Sequence, residues 1–239
     1  MDADAESRSG MLAWDDVVWP SEEYVPWSGY RRYMPHWRLK GGLYFVTFRL
    51  ADSIPRGVVE GWIEERRTWL TAWGVIGDVP EEEQQRRYLA IPEDARRVFE
   101  RDMARKYFVE LDKCHGSCLL RRQGAARIVA DALQFHEGAR LRGGDFVVMP
   151  NHVHWLLMPL GDHALEDILQ SVKHWAAIEI NKLVGRRGRL WQKESYDHLV
   201  RNPEQLERIC GYIERNPEKA GLKSGEGLYY VTPNSHSGH

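Results

Sequence analysis

The sequence predicts an α+β fold whose elements follow the order β-α-β-β-α-β, with an extra C-terminal helix and a helical insertion after the first strand. Runs of aromatic and β-branched residues alternate with segments of helical periodicity. Two of these runs flank the turn signal Pro150-Asn151, which predicts a hairpin. With 239 residues, of which 43% are hydrophobic and 28% charged, the chain can bury a sizeable core.

Four segments are expected to form strands. The run 44–50 (YFVTFRL) is aromatic and β-branched, and it comes first. The short apolar runs 145–149 and 152–158 lie on either side of the predicted turn, and 195–201 supplies the last strand.

Three helices are expected after the insertion. The periodic positions of the first are Ala125, Ile128, Val129, Ala132, Leu133 and His136. Those of the second, a long amphipathic helix, are Leu165, Ile168, Leu169, Val172, Trp175, Ala176 and Ile180. The third begins with Asn202 as N-cap and Pro203 in its first turn. Its core face is set by Leu206, Ile209 and Ile213.

The chain divides into an acidic arm at 1–29, a domain at 30–223 and a tail at 224–239. Residues 54–118 form the expected helical insertion, in which no residues have catalytic spacing. Without the insertion and the last helix, the order of elements is the split β-α-β-β-α-β arrangement of ferredoxin-like folds. Such a sheet leaves one face open for a site.

The formal net charge of −2 conceals an uneven distribution. Residues 1–25 hold seven acids and one Arg, whereas residues 30–49 hold five Lys or Arg and no acid. In the basic segment the cations alternate with aromatic residues. This pattern is suited to nucleic acid, because cations bind phosphates and aromatic rings stack on unpaired bases. The alternative is a basic surface segment whose aromatic rings pack on the sheet. The DNA-binding candidates here are Tyr30, Arg31, Arg32, Tyr33, Arg38 and Lys40.

Further DNA-binding candidates lie near the C-terminal helices. They are Lys173, Gln192, Arg201, Arg208 and Arg215. For Lys173 the simplest alternative is a solvated side chain, and Gln192 is equally suited to capping a turn.

Cysteine usage and the N-terminus favour a cytoplasmic protein. The three cysteines form no disulfide framework, which suits a reducing compartment. The stretch 114–118 (CHGSC) resembles half a zinc site, but no second pair completes it. The acidic N-terminus has no signal-peptide pattern, and no apolar run approaches the roughly 20 residues of a membrane span, so no membrane partner is expected.

Two histidines are the first candidate metal ligands. His152 and His154 are two residues apart in an expected strand, so both side chains leave the same face. Two adjacent imidazoles suit a divalent metal ion. The alternative is an ordinary half-exposed strand face.

Tyr212 is the candidate nucleophile. It is expected on the last helix, opposite the core face, with Asn216 one turn later on the same side. An amide oxygen there would complete a His-His-Asn metal site, and tyrosine can form covalent intermediates when a metal, cation or base assists it. His198 is a candidate base or orienter. An exposed Tyr, a solvated Asn and a structural His are the alternatives.

Several motifs resemble one family of proteins. Residues 149–154 (MPNHVH) resemble the HUH signature of the single-tyrosine transposases. The segments 190–192 (LWQ), 196–198 (YDH) and 212–222 (YIERNPEKAGL) are similar to the REP-associated tyrosine transposase branch, as are 30–33 (YRRY) and 44–50. Together they cover residues 30–50 and about 120–222 in the order found in that branch.

The resemblance implies a function and a fold. It implies an HUH endonuclease fold in which Tyr212 takes the 5′-phosphate of a cleaved single strand and leaves a 3′-hydroxyl. It also implies that His152 and His154 bind Mg²⁺ or Mn²⁺, with Asn216 at the third-ligand position. The segment 30–33 would help to read a tetranucleotide beside a palindromic DNA hairpin. Some members of the wider superfamily act as dimers that exchange the tyrosine helix, whereas a monomer is the alternative for the REP-associated branch, so the resemblance implies either a monomer or a homodimer.

Two other functions are compatible with the same residues. A metal phosphodiesterase would use water, with Tyr212 incidental. A non-catalytic hairpin-DNA-binding protein, domesticated from a transposase, would bind DNA and leave it intact.

Overall fold

A computed structural model describes residues 17–20, 39–222 and 228–230. Its strands are β1 (Tyr44–Arg49), β2 (Leu141–Val148), β3 (His152–Pro159), β4 (Tyr196–Leu199) and β5 (Leu228–Tyr230). Its α-helices are α1 (Arg56–Ala72), α2 (Glu81–Ala90), α3 (Glu93–Asp112), α4 (Gln123–Gln134), α5 (Leu165–Leu183) and α6 (Pro203–Lys219). The α+β class predicted from the sequence is confirmed.

The strands form one antiparallel sheet in the order β4-β1-β3-β2-β5. The hairpin predicted at the Pro150-Asn151 turn joins β2 to β3, which is the central strand of the sheet. In the register of β1 and β3, Thr47 is opposite His154 and Arg49 is opposite His152. The sequence analysis did not predict β5, which falls in the C-terminal tail and pairs with β2.

The two faces of the sheet pack against different helices. One face forms the larger core, where Val46, Phe48 and Trp155 contact the buried sides of α4 and α5. The other face packs against α6 through a second apolar cluster that includes Leu156 and Ile213. Helix α6 folds back over this face, which the β-α-β-β-α-β arrangement alone would leave open for a site.

Helix α6 starts where its capping residues predict, whereas one side chain of α5 points elsewhere than expected. The side chain of Asn202 accepts a hydrogen bond from the backbone N–H of Gln205, and Pro203 occupies the first turn of α6. In α5, Ile168, Val172 and Ala176 are buried. Trp175 was expected on that apolar side but is 45% exposed. It precedes the buried Ala176 by one residue, and one residue along a helix turns the side chain by about 100° around the helix axis.

Three helices lie between β1 and α4, in the segment 54–118. Leu70, Val75 and Ile91 form a small core of their own. The C-terminal half of α3 instead turns towards the sheet, where Tyr107 and Leu111 are buried. Within the described ranges, no helix has the length and apolar character that crossing a membrane requires.

Candidate active site

The paired histidines meet on the sheet face that α6 covers. His152 and His154 alternate with Val153 along β3, so both rings project to the same side, and both are 0% exposed. Their Nε2 atoms lie 3.0 Å apart. Two ring nitrogens thus converge on one point inside the protein.

A neighbouring amide fixes the orientation of the first ring. The Nδ1 atom of His152 lies 2.7 Å from the Asn151 Oδ1 atom. The Asn151 Nδ2 group donates to the carbonyl oxygens of Leu111 and His115, at 3.4 Å each, so its Oδ1 faces the imidazole. An amide oxygen only accepts, so Nδ1 of His152 carries the proton and its Nε2 lone pair points at His154.

A hydroxyl holds the second ring. The Nδ1 atom of His154 lies 2.7 Å from Thr47 Oγ1, directly across the β1–β3 pair. The hydroxyl can donate or accept. When it accepts, both Nε2 lone pairs face each other, an arrangement that needs a cation between them. When it donates, the Nε2–H of His154 donates to His152 instead.

Burial keeps both rings neutral. It lowers the pKa of His152 to about 3. Burial, and then the neighbouring His152, lower the pKa of His154 well below its ordinary value. Neutral imidazole is the form that ligates a metal ion, and both rings are neutral near neutral pH.

Tyr212 on α6 reaches the same point. Its hydroxyl oxygen lies 3.2 Å from the Nε2 atom of His154, and the two rings are 5.1 Å apart in a T-shaped contact. The expectation that Tyr212 lies opposite the core face is wrong, because its ring packs with Ile213 in the cluster between α6 and the sheet. Burial raises the pKa of the hydroxyl, Asp112 raises it further, and Asn216 opposes the shift.

Asn216 lies one turn after Tyr212 and is 0% exposed. Within the described part of the chain, neither its Oδ1 nor its Nδ2 atom makes a well-oriented hydrogen bond. The amide does lie near enough to the Tyr212 hydroxyl to lower its pKa, which indicates a weak contact. A buried amide without a proper partner is unfavourable by about 1–3 kcal/mol, so this position suits an oxygen ligand whose partner is a bound ion.

These donors fit a divalent metal ion. His152 and His154 offer two neutral nitrogen atoms, and Asn216 offers a buried amide oxygen. Among the described residues, no group of three or more His, Cys, Asp and Glu is arranged to hold a metal. In the Cys114–Cys118 stretch, the Cys118 thiol donates to the Cys114 carbonyl, and burial raises the pKa of Cys114 to about 11.

His198 links β4 to the start of α6. Its Nε2 atom lies 2.7 Å from the Gln205 Nε2 group, while Gln205 Oε1 accepts from the backbone N–H of Arg201. The amide therefore donates to a neutral His198, and burial followed by Arg201 lowers the pKa of that imidazole to about 4. This contact is the structural hydrogen bond given as the alternative for His198, and the role of His198 as a base or orienter stays a prediction.

The candidate DNA-binding residues occupy varied places. Lys173 lies against the 192–195 segment, and its Nζ atom donates to Gln192 O, Lys193 O and Ser195 Oγ at 2.9, 3.0 and 3.1 Å. Lys40 pairs with Asp162 at 2.6 Å on the surface. Arg201, Arg208 and Arg215 are exposed, at or along α6. The candidates Tyr30, Arg31, Arg32, Tyr33 and Arg38 lie outside the described residues.

Several residues that contact the histidines were not predicted from the sequence. Thr47 is a polar residue between two apolar neighbours, and that pattern was a usable signal. Asn151 precedes His152 directly but was interpreted only as a turn residue. Phe108 on α3 packs 5.7 Å from the His154 ring and 5.9 Å from the Tyr212 ring, and nothing in the local sequence predicts this.

Comparison with known proteins does not place the chain in a family. No family model matches the sequence, and no curated protein matches it. A solved structure that resembles the fold is a REP-associated tyrosine transposase bound to a REP hairpin, with 19% sequence identity, a TM-score of 0.44 and coverage of 83% of this chain and 77% of that chain. At these values the activity has to be inferred from the site.

Proposed function

We propose that the chain is a metal-dependent endonuclease and transposase that cleaves and rejoins single-stranded DNA beside palindromic hairpins through a covalent 5′-phosphotyrosine intermediate. One observation carries the proposal. The Tyr212 hydroxyl lies 3.2 Å from a histidine nitrogen that is itself 3.0 Å from a second one. A tyrosine nucleophile beside a convergent pair of imidazoles suits metal-assisted phosphoryl transfer.

We assign the sheet to the ferredoxin-like arrangement of the HUH endonucleases. Support comes from the strand order β4-β1-β3-β2, with β5 added at one edge and the segment 54–118 inserted after β1. The histidines lie on β3 and their Thr47 partner on β1, two of the three interior strands. Rigid central strands hold such a constellation more accurately than loops do.

His152, His154 and Asn216 would hold Mg²⁺ or Mn²⁺. Bound there, a divalent ion supplies positive charge for a nonbridging phosphate oxygen and so makes the phosphodiester a better electrophile. The chain's own contribution is to keep both imidazoles neutral, to orient them through Asn151 and Thr47, and to exclude water from their surroundings.

Tyr212 supplies the nucleophilic oxygen. A bond forms between Oη and phosphorus, the bond from phosphorus to the 3′-oxygen breaks, and the phenolic proton is released while the leaving 3′-oxygen gains one. Because the phosphodiester bond energy is retained in the phosphotyrosine, the reverse step rejoins a strand. Burial and Asp112 raise the pKa of the resting hydroxyl, so a bound metal ion, a cation or a base has to assist its deprotonation.

Single-stranded DNA is the substrate class that the basic and aromatic composition favours. The segment 30–40 combines four cations with no acid, and its aromatic side chains suit stacking on unpaired bases. Arg208, one turn before Tyr212, and Arg215, three residues after it, are exposed on the nucleophile's own helix. Their positive charges suit contacts with DNA phosphates.

The test is a denaturing gel of single-stranded hairpin DNA incubated with the protein and Mn²⁺ or Mg²⁺. Wild type should give an adduct that survives denaturant, and Tyr212→Phe should give none. Tyr88→Phe is the matched control, because it removes a hydroxyl from α2 in the inserted segment, and it should react like wild type.

Each of the other outcomes would indicate a different nucleophile or a different function. Full adduct yield from Tyr212→Phe would reject the assigned nucleophile. Cleavage with no adduct would indicate a phosphodiesterase that uses water. Hairpin affinity with no cleavage in either metal would indicate a DNA-binding protein without catalysis.

A further inference from the structure

The end of α3 belongs to the histidine site. Leu111 is 0% exposed, and its carbonyl oxygen accepts from the Asn151 side chain, as does that of His115. One turn before Asp112, the ring of Phe108 packs against His154 and Tyr212. The segment between β1 and α4 therefore supplies part of the wall and part of the hydrogen bonding around the two imidazoles.

Asn151 connects this helix end to His152. Its side chain is 0% exposed and uses both ends of the amide, the Nδ2 group towards α3 and the Oδ1 atom towards His152 Nδ1. Turning the amide by about half a revolution would bring Oδ1 against two carbonyl oxygens and Nδ2 against the imidazole N–H. Both new contacts would be repulsive, so the carbonyl oxygens of α3 hold the amide in one orientation.

The loop after α3 is itself held against the end of β1. The backbone N–H of Ser117 donates to Asp52 Oδ2 at 2.8 Å. Gly116 has a φ of +84°, and a Cβ atom there would lie 2.4 Å from the Asp52 carbonyl oxygen. Only glycine permits this approach, which fixes the position of the neighbouring His115 carbonyl.

We propose that the segment 54–118 sets the metal-ligating tautomer of His152 through Asn151. Asn151 is then a positioning residue, and the end of α3 is what positions it. The inference rests on the proposed function only in taking His152 as a metal ligand. Outer contacts of this kind change metal affinity by roughly 10- to 100-fold in metalloproteins.

The first experiment asks whether Asn151 sets the tautomer. Nitrogen NMR of the metal-free protein near neutral pH reports which His152 nitrogen carries the proton, and calorimetry reports the Mn²⁺ dissociation constant. Wild type should show Nδ1–H. Asn151→Ala should show a mixture of tautomers and bind Mn²⁺ about 10- to 100-fold more weakly. Asn181→Ala, which removes an amide bonded to the Gly188 carbonyl on the protein surface, should match wild type in both readouts.

The second experiment asks whether α3 acts through Asn151. Gly116→Ala pushes a methyl group into the Asp52 backbone and should mix the tautomers and weaken Mn²⁺ binding in the same way. Gly74→Ala is the matched control, since that glycine lies in the same segment with a φ of +66° and has nothing within 4 Å of its Cβ position. Adding Asn151→Asp to Gly116→Ala should restore the tautomer, because a carboxylate accepts from Nδ1 in any orientation.

Results that contradict this inference can be distinguished from results that contradict the proposed function. An unchanged His152 tautomer in Asn151→Ala would overturn the role of Asn151. A wild-type tautomer in Gly116→Ala, with the Ser117 amide resonance displaced, would overturn the role of α3. A wild type that binds no Mn²⁺ would count against the proposed function, while the tautomer readout would still decide the positioning role.

Discussion

Replacing Asn216 by Leu should stabilise the metal-free protein. The side chain is 0% exposed, and neither amide atom makes a well-oriented hydrogen bond within the described residues. A buried polar group in that state is unfavourable by about 1–3 kcal/mol, so a leucine of similar size should raise the free energy of unfolding by about that amount. For a chain of this length, each kcal/mol raises Tm by roughly 2–4 °C.

Asn151→Leu is the matched control. Asn151 is equally buried, but its amide bonds to His152 and to two carbonyl oxygens, so the same substitution removes satisfied hydrogen bonds. It should lower the free energy of unfolding by about 1–3 kcal/mol. The assay is thermal and urea unfolding in a chelator, followed by circular dichroism.

Mn²⁺ should reverse the order of stability of wild type and Asn216→Leu. A ligand that binds only the folded state raises Tm with its concentration, so wild type should gain stability from the ion and Asn216→Leu should gain much less. If Asn216→Leu is destabilised in chelator as Asn151→Leu is, the Asn216 amide has a protein partner. The main reason for placing it in a metal site is then lost.

Three further outcomes follow from the same geometry. Burial lowers the pKa of His198 to about 4, so the unfolded chain binds more protons than the folded protein between about pH 6.5 and 4. The free energy of unfolding should therefore fall by up to about 3 kcal/mol as the pH drops through that window. In urea titrations at several pH values, the free energy of unfolding of His198→Phe should depend less steeply on pH than that of wild type. Lys173→Met leaves three oxygen acceptors without their donor and should cost about 1–3 kcal/mol in urea unfolding, whereas Lys182→Met on the same helix removes only a surface ion pair and should cost less than about 1 kcal/mol. Because Tyr212 and the two histidines meet within one chain, an equimolar mixture of His152→Ala and Tyr212→Phe should form no DNA adduct, and adduct formation would show that subunits exchange α6.

Local patterns were sufficient for the elements that carry the site. The Pro150-Asn151 turn between two apolar runs predicts the β2–β3 hairpin, and alternation along β3 places both imidazoles on one face. Asn202 and Pro203 mark the start of α6 because capping is decided within one turn of chain.

The side of α6 that faces the sheet could not be predicted in the same way. Tyr212 is next to Ile213, at the border of the apolar face, and a helical pattern alone does not say whether such a residue points in or out. The answer depends on α6 folding back over the sheet face that the sequence analysis left open. That is a tertiary contact between distant segments.

The partners of the histidines depend on register and on the inserted helices. Thr47 meets His154 across 107 positions of sequence, because β1 and β3 pair in one particular register. Leu111 and Phe108 reach the site from a segment with its own hydrophobic core and no catalytic pattern. A polar residue in an apolar strand can be recognised locally, but the partner that it meets in the fold cannot be identified from a single sequence.

The covalent bond itself is the most direct test of the central claim. After incubation with a hairpin oligonucleotide and Mn²⁺, the protein is digested, and mass spectrometry locates any peptide that carries a nucleotide 5′-phosphate. The account predicts that the modified residue is Tyr212 and that the released strand ends in a 3′-hydroxyl. A phosphate attached to another residue, or cleaved DNA with an unmodified Tyr212 peptide, would contradict it.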